Sequence, residues 1–147
     1  MIYIGSDHGG FELKQEISAY LTETAVQFKD LGPNVFSEND DYPEFAEKVG
    51  KFVSKSSGKD LGILICRSGV GVAIVANKFK NVRAALCWNE QVAKASRLDD
   101  DANVLCLPAD YISPETAKRI LQIWLDTSFS TAPRHQRRLA EIKKIEG

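Results

Sequence analysis

The chain has 147 residues, enough for one domain with its own core. Its 19 Lys and Arg against 20 Asp and Glu leave a net charge of −1, which argues against nucleic-acid binding, where a strongly basic face is the rule. A hydrophobic content of 44% with 27% charged residues excludes a disordered chain, and no apolar run approaches the ~20 residues of a membrane span.

In chain order, Ile2-Tyr3-Ile4-Gly5 reads as a first strand, stopped at Asp7-His8-Gly9-Gly10. Phe11, Leu13, Ile17 and Leu21 then fall close to helical spacing, with Lys14, Gln15 and Glu16 on the other side. Ala25-Val26-Gln27-Phe28 predicts a second strand, broken by Leu31-Gly32-Pro33-Asn34. Pro43 opens a helix carrying Phe45, Val49, Phe52 and Val53. Leu61 to Cys66 is a continuous apolar strand, of the kind that suits a parallel sheet covered on both faces. Val70 to Phe79 predicts a helix, Arg83 to Cys87 a strand, Asn89 to Leu98 a helix and Val104 to Leu107 a fifth strand. A helix over Pro114 to Leu125, with Ser113 as N-cap, and a last one from Pro133 complete the pattern. The alternation predicts a single Rossmann-like three-layer α/β/α domain over residues 1–147 with a five-stranded parallel sheet. Ligands bind such sheets at the carboxyl ends of the strands.

Four turns are candidates for chemistry. The Cys66-Arg67-Ser68-Gly69-Val70-Gly71 turn sets a thiol at the end of a buried strand beside helix amides that favour a thiolate. Its glycines let the backbone approach an anion. A base beside such donors suits deprotonation of a carbon acid; the alternative is a buried structural cysteine. A tyrosine-phosphatase loop fails, because the sixth residue after Cys66 is Val72. No GxxxxGK[ST] is present, and the first strand lacks GxGxxG. His8, beside Asp7, reads as a proton carrier, an anion ligand or a helix cap. The acidic run Asp99-Asp100-Asp101, ahead of the fifth strand, reads as a cation site or a solvated helix end. Arg134, Arg137 and Arg138 read as a phosphate grip or a solvated helix face.

With only one other histidine, His135, a three-histidine metal site is excluded. The 3 cysteines, Cys66, Cys87 and Cys106, lack CxxC spacing and read as reduced thiols in a cytoplasmic protein. The N-terminal residues have no basic segment ahead of an apolar one, so no secretory leader is expected.

Taken together, the segments resemble the ribose-5-phosphate isomerase type B / galactose-6-phosphate isomerase family. The likeness runs through Gly5-Ser6-Asp7-His8-Gly9-Gly10-Phe11, Asp41-Tyr42-Pro43, Gly62 to Cys66 with Ser68-Gly69-Val70-Gly71, and Ala76-Asn77-Lys78. It continues through Val82-Arg83-Ala84-Ala85, Asp101-Ala102-Asn103-Val104-Leu105 and Arg134-His135-Gln136-Arg137-Arg138. The resemblance implies an aldose–ketose isomerase of a phosphorylated sugar, acting through an enediolate without metal or cofactor. Ribose 5-phosphate and ribulose 5-phosphate are the expected pair. Galactose or allose 6-phosphate, a tetrulose phosphate, or a non-catalytic sugar-phosphate-binding relative are the alternatives. It also implies a homodimer or homotetramer with shared active sites, the C-terminal helix (about 134–145) reaching a neighbouring subunit.

By position, the resemblance implies Cys66 as the base and Ser68 against the reacting oxygens, with amides of Gly69, Val70 and Gly71 as the anion hole. Some members carry a glutamate in this loop, where Val72 stands here, which leaves the thiol as its base candidate. Asp7 would hold sugar hydroxyls, Tyr42 would line the pocket, and His8, Arg134 and Arg138 would hold the phosphate, the arginines from the neighbouring subunit. The chain departs from the family at three places. Asp99, followed by Asp100, replaces the ring-opening histidine, Asp110 stands where an arginine is common, and Arg67 replaces a glycine. Asp99 is therefore expected to take the ring hydroxyl's proton, with Asp100 beside it at the substrate and Arg67 facing a substrate group.

Overall fold

The computed structural model describes residues 1–147. Three of the strands are almost wholly buried: β1 (Ile2–Ser6), β3 (Leu61–Cys66) and β5 (Val104–Pro108). They form the centre of a parallel five-stranded sheet, flanked by the short β2 (Phe28–Asp30) and β4 (Ala84–Leu86), in the order β2-β1-β3-β5-β4. Strand alternation divides the core in two. Ile63, Ile65, Leu105 and Leu107 face α1 (Phe11–Glu23) and α5 (Pro114–Asp126), where Ile17, Leu21, Ile120 and Trp124 are fully buried. Leu64, Cys66, Val104 and Cys106 face α2 (Tyr42–Lys55) and α3 (Val70–Ala76), against Ala46, Val49 and Val72. Each fully buried aliphatic side chain contributes about 1.5–3 kcal/mol to the fold.

Each crossover helix returns the chain from the carboxyl to the amino edge of the sheet. Thus α4 (Glu90–Asp100) begins at the carboxyl edge, capped by Asn89 Oδ1 on Val92 N–H at 2.8 Å, and ends at the amino edge. The last helix, α6 (Pro133–Glu146), stays at that amino edge. Its Glu146 accepts from the Asn81 N–H in the turn ahead of β4 at 2.6 Å, and Ser130, ahead of the helix, donates through its N–H to the Leu98 carbonyl at 3.0 Å. No helix is long and apolar enough to cross a membrane.

The predicted three-layer parallel architecture is the one observed, and several element bounds move. Ala25 takes a left-handed φ of 56° and the Val26 N–H returns to the Leu21 carbonyl at 2.9 Å, so 25–27 close α1 and β2 starts only at Phe28. Lys14 is not on the solvated side of α1. It is fully buried, its ammonium 2.5 Å from Asp30 Oδ2 at the end of β2. The helix expected to Phe79 stops at Ala76, and Arg83 lies outside β4, its N–H held by Asn103 Oδ1 at 2.8 Å. The run Asp99-Asp100 is not a turn but the last turn of α4, with Asp101 as a left-handed C-cap at φ 46°.

Candidate active site

Cys66 is the last residue of β3, so its side chain falls on the α2/α3 face just where the strand gives way to the glycine turn. The Gly69 N–H donates to Cys66 Sγ at 3.1 Å, and Gly69 adopts the left-handed φ of 73° that turns the chain into α3. An N–H aimed at sulfur is worth most when the sulfur is charged. Cys66 retains 5% exposure, whereas Cys87 and Cys106 are fully enclosed. Burial pushes the Cys87 thiol up to about 11 and Cys106 well above the ordinary thiol range, which keeps both protonated. Beside Cys66, Ser68 Oγ accepts from the Val70 N–H at 3.3 Å. Tyr42, the first residue of α2, lays its ring on Gly71, where a Cβ would meet ring carbons at 2.7 Å.

The first turn meets this one across β1 and β3. Asp7 is buried and its Oδ1 accepts the Gly10 N–H at 3.0 Å, while its own N–H donates to the Ile65 carbonyl at 3.3 Å. Asp7, and not His8, therefore caps the short 3-10 turn His8–Gly10. His8 is held by Asp40, whose Oδ1 accepts from the His8 N–H at 2.8 Å and lies 2.8 Å from Nδ1. That hydrogen bond, reinforced by the charge of Asp7, raises the His8 pKa above the ordinary imidazole value, against desolvation and the opposing charge of Arg67. The Nε2 is left for a ligand. Asp40 was not among the sequence candidates: only its neighbourhood to Asp41-Tyr42 marked it, and its contact to His8 is long-range.

Two hollows flank the strand ends. The larger, about 730 Å³, lies over α1 and α5 and is lined by His8, Gly9, Phe11, Arg67, Ala109 and Asp110, among others. The smaller, about 330 Å³, holds Ser68 with Leu86, Trp88, Pro108 and Tyr111. The Cys66 turn separates them: Arg67 enters one and Ser68 the other. Nowhere do three or more His, Cys, Asp or Glu side chains converge as a metal site would require.

The remaining sequence candidates lie at the other edge of the sheet. Asp99 and Asp100 sit at the end of α4, and Arg134 and Arg138 project exposed from α6 without a carboxylate partner. Asp99 Oδ1 stands 3.5 Å from Nε2 of the buried His135, whose Nδ1 is 2.5 Å from Ser130 Oγ. A single copy therefore brings together Asp7, His8, Tyr42, Cys66, Arg67, Ser68 and the Gly69–Gly71 amides. It does not bring Asp99, Asp100, Arg134 and Arg138 to them.

Open parallel topology, a strand-end thiol in a glycine turn and a histidine held beside it define a class. The sequence model of the Ribose/Galactose Isomerase family matches residues 2–142, and the chain belongs to that family. Among its relatives, the probable ribose-5-phosphate isomerase B of Mycoplasma genitalium is 47% identical over 99% of this chain and 95% of its own length. The ribose-5-phosphate isomerase B of Escherichia coli is 42% identical over 99% and 95% of the two chains. The crystal structure of the Mycoplasma genitalium enzyme with bound ribulose-5-phosphate superposes with a TM-score of 0.95 at 47% identity, covering 99% of this chain and 95% of that one. The Clostridium thermocellum ribose-5-phosphate isomerase B superposes at 0.93, with 41% identity over 99% and 96%.

Proposed function

We propose that the protein interconverts ribose 5-phosphate and ribulose 5-phosphate, with Cys66 as the base. The observation that carries this reading is Cys66 Sγ at the carboxyl end of β3, accepting the Gly69 N–H at 3.1 Å. The Mycoplasma genitalium relative, 47% identical, holds ribulose-5-phosphate in its crystal structure.

In the open-chain aldose, the Cys66 thiolate takes the proton from C2, and the electron pair moves into the C1–C2 bond as the C1 carbonyl oxygen gains charge. The Gly71 amide receives that oxyanion, while the Gly69 amide stays on Cys66 Sγ and the Val70 amide on Ser68 Oγ, which bridges the oxygens on C1 and C2. The O2 proton then passes to O1, the electron pair of O2 closes the C2 carbonyl, and the C1–C2 double-bond pair takes the proton from Sγ onto C1, which regenerates the thiolate. Asp7 holds sugar hydroxyls, Tyr42 closes the wall over Gly71, and Arg67 faces the substrate from the larger hollow. His8, carrying a proton over a wider pH range because of Asp40, holds the phosphate.

The functional groups at the amino edge come from a second copy. Arg134 and Arg138 complete the phosphate grip, and Asp99, with Asp100 beside it, takes the ring hydroxyl's proton to open the furanose. The exposure of Arg134 and Arg138 and their lack of a carboxylate partner support this, as does the separation of all four residues from Cys66 across the sheet. The working unit is then a homodimer, or a tetramer built from it, in which a single-domain chain lends its C-terminal helix to its neighbour. Three unpaired thiols fit a reducing compartment, the cytoplasm.

The test is interconversion of the two pentose phosphates in the presence of a chelator, comparing wild type with Cys66→Ala. Turnover falls on the order of a thousandfold in the variant, the range a positioned base supplies. An unchanged rate in Cys66→Ala, or no wild-type turnover of either sugar phosphate, removes the proposal.

A further inference from the structure

The larger hollow has two cationic side chains, His8 and Arg67, facing the carboxylates Asp110, Glu12 and Glu16. Glu12 and Glu16 lie on the exposed run of α1, and Glu16 is already paired with Lys118 at 3.1 Å. Arg67 is placed differently. It leaves β3 directly after Cys66, and its stem crosses Gly9, where a Cβ would meet Arg67 Cγ at 2.4 Å. A side chain at position 9 would push the arginine's stem aside. Its Nη1 stands 3.6 Å from Asp110 Oδ1, with 62% and 47% of the two side chains exposed, so the pair is solvated and loosely held. The backbones are tied: the Asp110 N–H donates to the Arg67 carbonyl at 2.9 Å, and the Ala109 N–H to the Cys66 carbonyl at 2.9 Å. The Arg67 charge reaches His8, whose protonation it opposes.

These contacts describe a cation with a seated stem, a solvent-exposed head and a weak internal counter-ion, beside the histidine already assigned to phosphate. A phosphate dianion offers more charge than one carboxylate and matches the planar guanidinium fork. We propose that Arg67 rests on Asp110 in the empty protein and turns onto the substrate phosphate when it arrives, joining His8, Arg134 and Arg138 in the grip on that group. Asp110 is the counter-ion it leaves. This exchange makes binding selective for dianionic phosphate esters over monoanionic or neutral sugars, because only a dianion outcompetes Asp110. The inference rests on the isomerase reading for the identity of the phosphate.

The test measures inorganic phosphate binding by calorimetry, together with KM and kcat for ribose 5-phosphate. Arg67→Ala weakens phosphate about tenfold and raises KM by a similar factor while kcat changes less, the signature of a lost charge-assisted contact. Arg67→Lys recovers part of the loss. Asp110→Asn removes the competitor and tightens phosphate several-fold, by about the contribution of an exposed pair. Gly9→Ala, which crowds the stem, weakens phosphate in the wild-type background and adds nothing in the Arg67→Ala background. Unchanged phosphate affinity in Arg67→Ala overturns the proposal, as does a loss in Asp110→Asn equal to that in Arg67→Ala. Phosphate binding needs no turnover, so the two readings separate: Arg67-dependent binding without isomerisation sinks the isomerase and leaves the grip. Isomerisation with a KM indifferent to Arg67 does the reverse.

Discussion

The candidate residues at the two edges of the sheet are held in different ways. At the carboxyl edge Asp7 is tied to Gly10, His8 to Asp40 and Cys66 to Gly69. At the amino edge Arg134 and Arg138 stand in solvent, and Asp99 touches only the buried His135. The first edge is organised within one copy. The second uses part of its charge within the copy, in the pairs of Asp101 with Arg83 and Arg97, and leaves Arg134 and Arg138 unpaired.

The largest effect expected from this contrast is at the exposed arginines. Replacing Arg134 and Arg138 together by Ala raises KM on the order of a hundredfold, as two charge-assisted contacts are lost. Mixing that variant with Cys66→Ala then restores about a quarter of wild-type activity, because half the random dimers are mixed and one of their two sites is intact. No recovery on mixing breaks the comparison and confines the site to one copy. A smaller effect is expected from Gly71→Ala at the organised edge. Its Cβ would meet the Tyr42 ring at 2.7 Å; the ring is 39% exposed and swings aside, so turnover falls while the melting temperature changes little. Unchanged turnover contradicts the packing of Tyr42 on the turn.

The smallest effect is a shift in pH dependence. The folded-state pKa of His8 lies above its ordinary value, so the stability its cation contributes is fully present below that ordinary value. It is lost as pH rises through the raised one. Asp40→Asn removes the largest cause of the rise. Both the His8 titration, followed by NMR beside the one other histidine, and the loss of phosphate binding then move to lower pH. An unmoved midpoint shows that Asp40 does not hold the cation.

Much of this arrangement was legible in the sequence, and its gaps have a common cause. Leu61 to Cys66 and Val104 to Leu107 announce buried parallel strands through unbroken apolar runs, and Ser113-Pro114 announces a helix start, which the cap of Ser113 Oγ on the Thr116 N–H at 3.1 Å bears out. The Asp7-His8 and Cys66 turns stand out as candidates because a parallel sheet directs attention to its carboxyl ends. Lys14 and Asp40 were missed because each gains its role from a partner distant in the chain, Asp30 and His8, which local periodicity does not encode. The run Asp99-Asp100 reads in sequence like a turn at a strand end, although as the end of a crossover helix it belongs to the opposite edge. Arg67 and Asp110, two departures noted separately, prove to be one contact at 3.6 Å.

The central claim, that the Cys66 sulfur carries a proton between neighbouring carbons, is tested most directly by isomerisation in deuterated water. Ribulose 5-phosphate converted by the wild-type protein acquires deuterium at C2 of the ribose 5-phosphate formed, and Cys66→Ser loses label and turnover together. Conversion that proceeds at the wild-type rate with full labelling in Cys66→Ser would assign the proton to another group and contradict the account.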